Sequence, residues 1–324
     1  MDGTRGGDHD FREIRSLGAL EREVEELNLT PGWIKRDVPI LWREPKSAFV
    51  PAHWQYAEAK AAMEAAGRLI GTDLAERRNL VMRNPIPGNN FATACTLVCA
   101  YQTIMPGETA RSHRHAPHAF RVILDAEGAY SIVDGEKTPM ETGDVVLTPG
   151  WCWHGHGHDG DRQAYWFDGL DVPLTHLLEP MFVEDHPAGF EPVETVASDS
   201  PYRFTWAATQ RALDRARPDP EGFHGPRIEF AAPTMPTMGL SAQRLESGQK
   251  TRPFRSSANT IYVVMAGAGT SAIGDTEFAW SYGDTIVAPC WQRIEHRATA
   301  DSVLFAMTDE PLMRFARYYR FEAL

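Results

Sequence analysis

The sequence has 324 residues, enough for two domains with connecting segments, and its 43% hydrophobic and 23% charged content excludes disordered and fibrous architectures. Lysine and arginine total 32 against 44 aspartates and glutamates, a formal net charge of -12 at pH 7 that repels nucleic-acid phosphates and anionic lipid, so nucleic acid is not an expected partner. A small anionic ligand would then need arginines placed locally to reverse the field.

No apolar run approaches the roughly 20 residues that cross a bilayer. The stretch MDGTRGGDHDFREIR is polar and acidic, unlike a signal peptide, so no membrane partner is expected and the expected location is cytoplasmic. Cys95, Cys99, Cys152 and Cys290 form no CxxC pair and are expected as buried small hydrophobes.

In chain order, residues 11–28 place Phe11, Ile14, Leu17, Leu20, Val24 and Leu27 at helical spacing opposite a charged face, which predicts an amphipathic helix. WQYAEAKAAMEAAGRLI has the composition of a second helix ending near Gly71, so residues 1–79 are expected to be helical and irregular. From about Leu80, short β-rich runs (NLVM, TACTLVCAYQTI, AFRVIL, AYSIV, DVVLTP, QAYWFDGL) alternate with turn signals and predict an antiparallel β domain over 80–175. Residues 176–230 are expected to form a linker with one helix in TWAATQRALDRAR, and strands return over 231–324 as a second β domain.

The two β segments resemble each other. Gly107, Gly143 and Pro149 anchor the first, Gly248, Gly283 and Pro289 the second, and each second glycine opens a G-D-x-x-x-x-P run. Tandem copies of one barrel explain this better than coincidence. Superposing the copies isolates three histidines: His113, His115 and His154 in the first stand where the second has Phe254, Ser256 and Ile294. On a strand, residues i and i+2 share a face, so His113 and His115 would project together, with His154 arriving from another strand. Three imidazoles suit an iron(II)-, manganese- or zinc-like ion with open positions. Taken singly, each histidine could sit on a loop or in the core; their joint loss from the sister copy favours the metal.

The motifs G-x5-H-x-H and G-x5-P followed by His154, with the stretches YQTIMPGETARSHRHAPHAFRVI and GDVVLTPGWCWHGHG, resemble the bicupin gentisate/salicylate 1,2-dioxygenase family over most of the chain. The glutamate usual in cupins is absent, since Ala119 and Phe120 stand there, in keeping with the carboxylate-free iron site of that family. The resemblance implies an all-β core of two tandem cupin (double-stranded β-helix, or jelly-roll) barrels behind an N-terminal helical segment. It implies an Fe(II)-dependent, extradiol-type dioxygenase that uses O2 to split a 2-hydroxybenzoate between its carboxyl- and hydroxyl-bearing carbons. Three neutral imidazoles leave the ion its full charge, which favours an anionic, bidentate salicyl-type ligand. The second barrel, without ligands, would serve structure and assembly, and the resemblance implies a homotetramer.

Arg121 lies eight residues after His113, even spacing along the same strand direction, and its apolar flanks favour a pocket role over an exposed one. It also occupies the family's substrate-arginine position. The resemblance further implicates Arg77 and Arg78, and Arg83 less, as substrate contacts, although surface salt bridges explain all three as well. His156 stands where the family has a histidine near the substrate hydroxyl, suited to a general base, yet the sister copy keeps His296 there. Gln102 matches a polar pocket residue; Ala100 and Val98 would shape the wall, Val98 replacing the usual tryptophan. His118 is expected near solvent or behind the ligands, and His158 has no assigned role. Gentisate or a substituted salicylate is the expected substrate; 5-substituted salicylates, hydroxynaphthoate and a non-catalytic metal- or small-molecule-binding cupin are the alternatives.

Overall fold

The computed structural model describes residues 11–35, 39–71, 77–197 and 199–324, so the polar start over 1–10 lies outside the described residues. The chain divides into two units, Met1–Glu44 and Pro45–Leu324. In the first, the amphipathic pattern forms a helix over Leu17–Glu26, shorter than expected. Ser16 sets its start: the hydroxyl accepts the Ala19 amide at 3.2 Å, which leaves Phe11 and Ile14 ahead of the first turn.

The second unit holds two tandem barrels, each made of two facing sheets. In the first barrel one sheet runs Arg203–Phe204, Val145–Thr148, Ala119–Asp125, Ala164–Leu170, Val98–Ile104 and Arg78–Val81. Its other sheet runs Val183–Asp185, Thr109–His115, His154–His158, Ala129–Val133, Glu136–Met140 and Thr195–Val196. In the second barrel Ala52–Trp54, Thr285–Ala288, Thr260–Ala266, Ser302–Thr308, Gly239–Leu245 and Arg227–Glu229 form one sheet. Thr276–Ser281, Ala268–Ile273, Ile294–Ala298, Phe254–Ser256 and Phe321–Ala323 form the other.

Three expectations need correction. The segment before residue 80 is not only helical: besides the expected helix at Tyr56–Leu69, Ala52–Trp54 and Arg78–Val81 add edge strands to the second and first barrels. The stretch 176–230 is more than a linker, because Val183–Asp185, Thr195–Val196 and Arg203–Phe204 extend the first barrel and Arg227–Glu229 the second. Strands of two to four residues cover sheet edges but carry no readable periodicity. The third concerns the cysteines: all four are free, yet Cys95 is exposed while Cys99 alone is fully buried. Among the described residues no helix is long and apolar enough to cross a membrane.

The barrels share a core. Phe120, Val122 and Leu124 of one sheet meet Ile261, Val263 and Phe305 of the other in one buried cluster, with the Phe120 and Phe305 ring centroids 5.4 Å apart. Because strand residues alternate faces, Arg121 and Ile123 on the same strand point the opposite way, into the first barrel.

The duplicated glycine–aspartate step has one structural job in both copies. Asp144 accepts the amide of Trp206 at 2.9 Å and Asp284 that of Tyr56 at 2.8 Å, each carboxylate satisfying an orphan donor at the start of a helix. The preceding glycines adopt positive φ, 92° at Gly143 and 81° at Gly283, and an added Cβ would lie 2.5 Å from Trp206 and 2.3 Å from Tyr56. Gly283→Ala should therefore lower the unfolding free energy by about 2 kcal/mol or more, through the left-handed backbone and the clash together; urea denaturation measures it, and a loss below the scatter of a surface substitution would refute this reading.

Candidate metal centre

His113 and His115 stand on Thr109–His115, whose pairing with His154–His158 is interrupted between Ala110 and His113, and His113 lies directly opposite His154. A bulge of this kind re-aims side chains. The three rings converge, with centroids 5.3 Å apart for His113 and His115, 4.2 Å for His113 and His154, and 4.8 Å for His115 and His154. One ring nitrogen from each lies within 4.8 Å of the others.

Their surroundings prepare them as ligands. The Nδ1 of His115 lies 2.8 Å from the Pro117 carbonyl and that of His154 3.1 Å from the Cys152 carbonyl. A carbonyl only accepts, so each Nδ1 carries the hydrogen and each Nε2 keeps its lone pair for a cation. Burial, then the Arg77 charge, lowers His113 to about 3; burial lowers His115 to about 4 and His154 well below its ordinary value. All three are neutral at pH 7, the form that binds metal. The Arg77 guanidinium packs against both nitrogens of His113, with Nη1 3.0 Å from Nε2, and also donates to the Arg111 carbonyl at 3.1 Å. A neutral imidazole has one lone pair, so a metal at His113 competes with Arg77 for it. The donor set fits an iron(II)-type ion: three neutral nitrogens, no carboxylate, and buried Ala119 and Phe120 where a glutamate could have stood.

Above the triad opens a cavity of about 380 Å³ whose wall is largely apolar. Among the expected residues, Arg77, Val98, Ala100, Gln102 and Arg121 line it together with the three histidines. Arg121 gets there by a route other than the expected one, from the next strand, Ala119–Asp125, in the opposite sheet. It is 5% exposed; its Nη1 donates to the Thr148 hydroxyl at 2.5 Å and its Nε lies 3.2 Å from Asp168 Oδ1, opposite it in register. Burial works against both charges, lowering Arg121 from its ordinary value and raising Asp168 to about 6, while each partner's charge pulls the other back toward its ionised form.

Other expected residues lie elsewhere. Arg78 turns to the opposite face, where it grips Glu108 at 2.6 and 2.7 Å and donates to the Ile70 carbonyl at 2.7 Å, a buried structural pair. Arg83 is exposed and outside the cavity lining. His156 is buried, its ring centroid 6.3 Å from that of His154, and contacts the Ser131 hydroxyl at 2.9 Å through Nδ1; its Nε2 is buried without a hydrogen-bond partner among the described residues. His296 makes the same contact with Ser271 at 2.7 Å in the second barrel. His118 accepts the Gly150 amide at 2.9 Å, and His158 accepts that of Gly160 at 3.2 Å while its Nε2 meets the Arg162 carbonyl, so both brace turns.

Sequence reading missed Asp168, Asn79, Phe91 and His176, all of which line the cavity. Asp168 alone left a signal: an acid inside the apolar run AYWFDGL, on the same face as Trp166.

Residues 100–172 match the family model for the cupin domain. The chain is 32% identical to a gentisate 1,2-dioxygenase of Aquipseudomonas alcaligenes, over 92% of this chain and 94% of that one. It is also 32% identical to a 5-aminosalicylate 1,2-dioxygenase of a Comamonas species, over 95% and 90%. The crystal structure of a salicylate 1,2-dioxygenase from Pseudaminobacter salicylatoxidans superposes with a TM-score of 0.84 at 28% identity, covering 95% of this chain and 97% of that one.

Replacing His115 or His154 with alanine should reduce bound iron from about one per chain to near zero with the fold retained, since each removal leaves two ligands. Elemental analysis beside circular dichroism checks it; full iron occupancy in both variants would refute the triad.

Proposed function

The chain belongs to the bicupin gentisate/salicylate 1,2-dioxygenase family, and from that membership and its three-histidine centre we infer an iron(II)-dependent dioxygenase that uses O2 to open the ring of a 2-hydroxybenzoate. The observation that carries this is a convergent, carboxylate-free imidazole triad on the floor of a cavity with an apolar wall and a buried guanidinium. Fe(II) held by His113, His115 and His154 would supply the one-electron chemistry through which dioxygen reacts with a closed-shell ring. We take the cleaved bond to be the one between the carboxyl- and hydroxyl-bearing carbons, a choice supported by the 1,2 designation of the relatives.

Arg121 anchors the substrate carboxylate. Its support is positional: Thr148 and Asp168 fix the guanidinium, so little side-chain freedom is lost when a carboxylate arrives. Arg77 brings a second positive charge to the same cavity, and together the two arginines reverse locally the field of a chain with net charge -12. His156 lies outside the cavity lining, so its part in handling the proton of the substrate hydroxyl requires that its Nε2 be uncovered when substrate binds. With the Nδ1 hydrogen donated to Ser131 and the Ser131 hydroxyl directed at the Gly155 carbonyl 3.5 Å away, the Nε2 lone pair is available to accept it. Burial, then the charge of Arg121, depresses this imidazole well below its ordinary range, which keeps it neutral and able to accept a hydrogen bond, though as a weak base. Gln102 offers an amide to a ring substituent, and the short side chains of Ala100 and Val98 leave room for one, which supports gentisate or a substituted salicylate as substrate.

A homo-oligomer accompanies this reading, with the tetramer as the proposed form. Leu177, Leu178, Phe182 and Val183 are each more than 60% exposed around the helix Val172–Leu178 and the strand after it, an apolar surface suited to a second copy. Four free cysteines support a reducing, cytoplasmic setting.

Iron-loaded protein should consume O2 with gentisate or a 5-substituted salicylate; no uptake with any 2-hydroxybenzoate would leave only metal binding and overturn the enzymatic reading. Arg121→Ala should lower kcat/KM by about 10- to 100-fold, the loss of one charge-assisted hydrogen bond, with iron content unchanged. Loss of iron in that variant would contradict the assigned role.

A further inference from the structure

The two barrels can be aligned residue by residue through their strand registers. In the first, Gln102 lies opposite Trp166 on one side and Asn79 on the other; in the second, Gln243 lies opposite Leu304 and Arg227. Arg121 opposite Asp168 corresponds in the same way to Tyr262 opposite Ala306. Under this register the metal cavity has a counterpart, a cavity of about 260 Å³ lined by Arg227, Gln243, Phe254, Tyr262 and their neighbours.

We propose that this second cavity is a metal-free binding site for a small aromatic carboxylate. A barrel kept only for packing would gain stability by filling its interior with apolar side chains, because each buried polar group without a partner costs free energy. His113, His154, Arg121 and Asp168 do give way to Phe254, Ile294, Tyr262 and Ala306, but part of the wall runs the other way. Ala100 and Leu170, apolar wall residues of the metal cavity, correspond to the buried Ser241 and Thr308, and Gln102 is retained as the buried Gln243. Arg227, in the place of Asn79, supplies the anchor. Its Nε is buried without an acceptor among the described residues, its Nη1 makes a long contact of 3.4 Å with His224 Nε2, and its nearest acid, Glu229, is 3.5 Å from Nη2 with a side chain 79% exposed. A weak, solvent-screened pair leaves the guanidinium available to a carboxylate. Phe254 and Tyr262, standing where His113 and Arg121 stand in the first barrel, offer aromatic surface to a planar ring.

The proposal rests on the dioxygenase reading only for its probe, salicylate. Anaerobic calorimetric titration of iron-loaded protein with salicylate should give two equivalents per chain. Arg227→Ala and Ser241→Leu, the second filling the cavity without removing a charge, should each lose one equivalent, whereas Arg121→Ala should keep the second-barrel equivalent. If Arg227→Ala fails to fold by denaturation, Ser241→Leu carries the test. An equivalent count unchanged from wild type in the folded variants would overturn the proposal. Failure of O2 uptake with the second-barrel equivalent intact would remove the dioxygenase reading alone.

Discussion

The strand Ala119–Asp125 has to satisfy two interiors at once. Phe120, Val122 and Leu124 are buried against the second barrel, while Arg121 and Ile123 between them project into the first. The apolar side fixes the strand by burial, at about 25 cal/mol for each Å² of apolar surface removed from water. That fixed backbone holds a guanidinium in a place where, left mobile, it would move out to water. Ala164–Leu170 repeats the arrangement, with Phe167 in the shared core and Asp168 facing Arg121. The polar machinery is thus positioned by the packing between barrels.

Charge is arranged on the same principle. An Arg121–Asp168 pair, each member 5% exposed, is stabilising only when both partners are present and their remaining donors and acceptors are met. Thr148 and the Trp166 indole, 3.2 Å from Asp168 Oδ2, help to meet them. The cavity therefore keeps a fixed cation close to neutral imidazoles, and that charge adds to burial in depressing the basicity of those rings while it readies the site for an anion.

The triad was legible in the sequence because duplication supplied an internal control: three histidines against Phe254, Ser256 and Ile294 is a contrast that no single copy offers. The long strands were legible from turn signals and β-rich runs, although residues 93–97 of TACTLVCAYQTI remain outside the strand Val98–Ile104. Arg121 was placed in the cavity by an argument that ran one strand through a turn; the residue crosses to the facing sheet and reaches the same space. Arg77 and Arg78 could not be told apart, since the strand Arg78–Val81 is too short to declare which face is inward, and only the structure shows Arg78 committed to Glu108. Edge strands from 52–54 and 203–204 were invisible because their partners lie far away in the chain.

The paired aspartates also make the two halves hostages of each other. The helix Tyr56–Leu69 lies against the first barrel, with Lys60 reaching Asp125, yet its opening amide is held by Asp284 of the second; the helix Trp206–Arg215 lies against the second barrel, with Asp214 on Arg244, yet is held by Asp144 of the first. Each barrel lends its twin the peg on which a leading helix hangs. A nascent chain cannot complete its first half until the last third has left the ribosome, and a gene split between the repeats would yield two fragments that each lack a clasp.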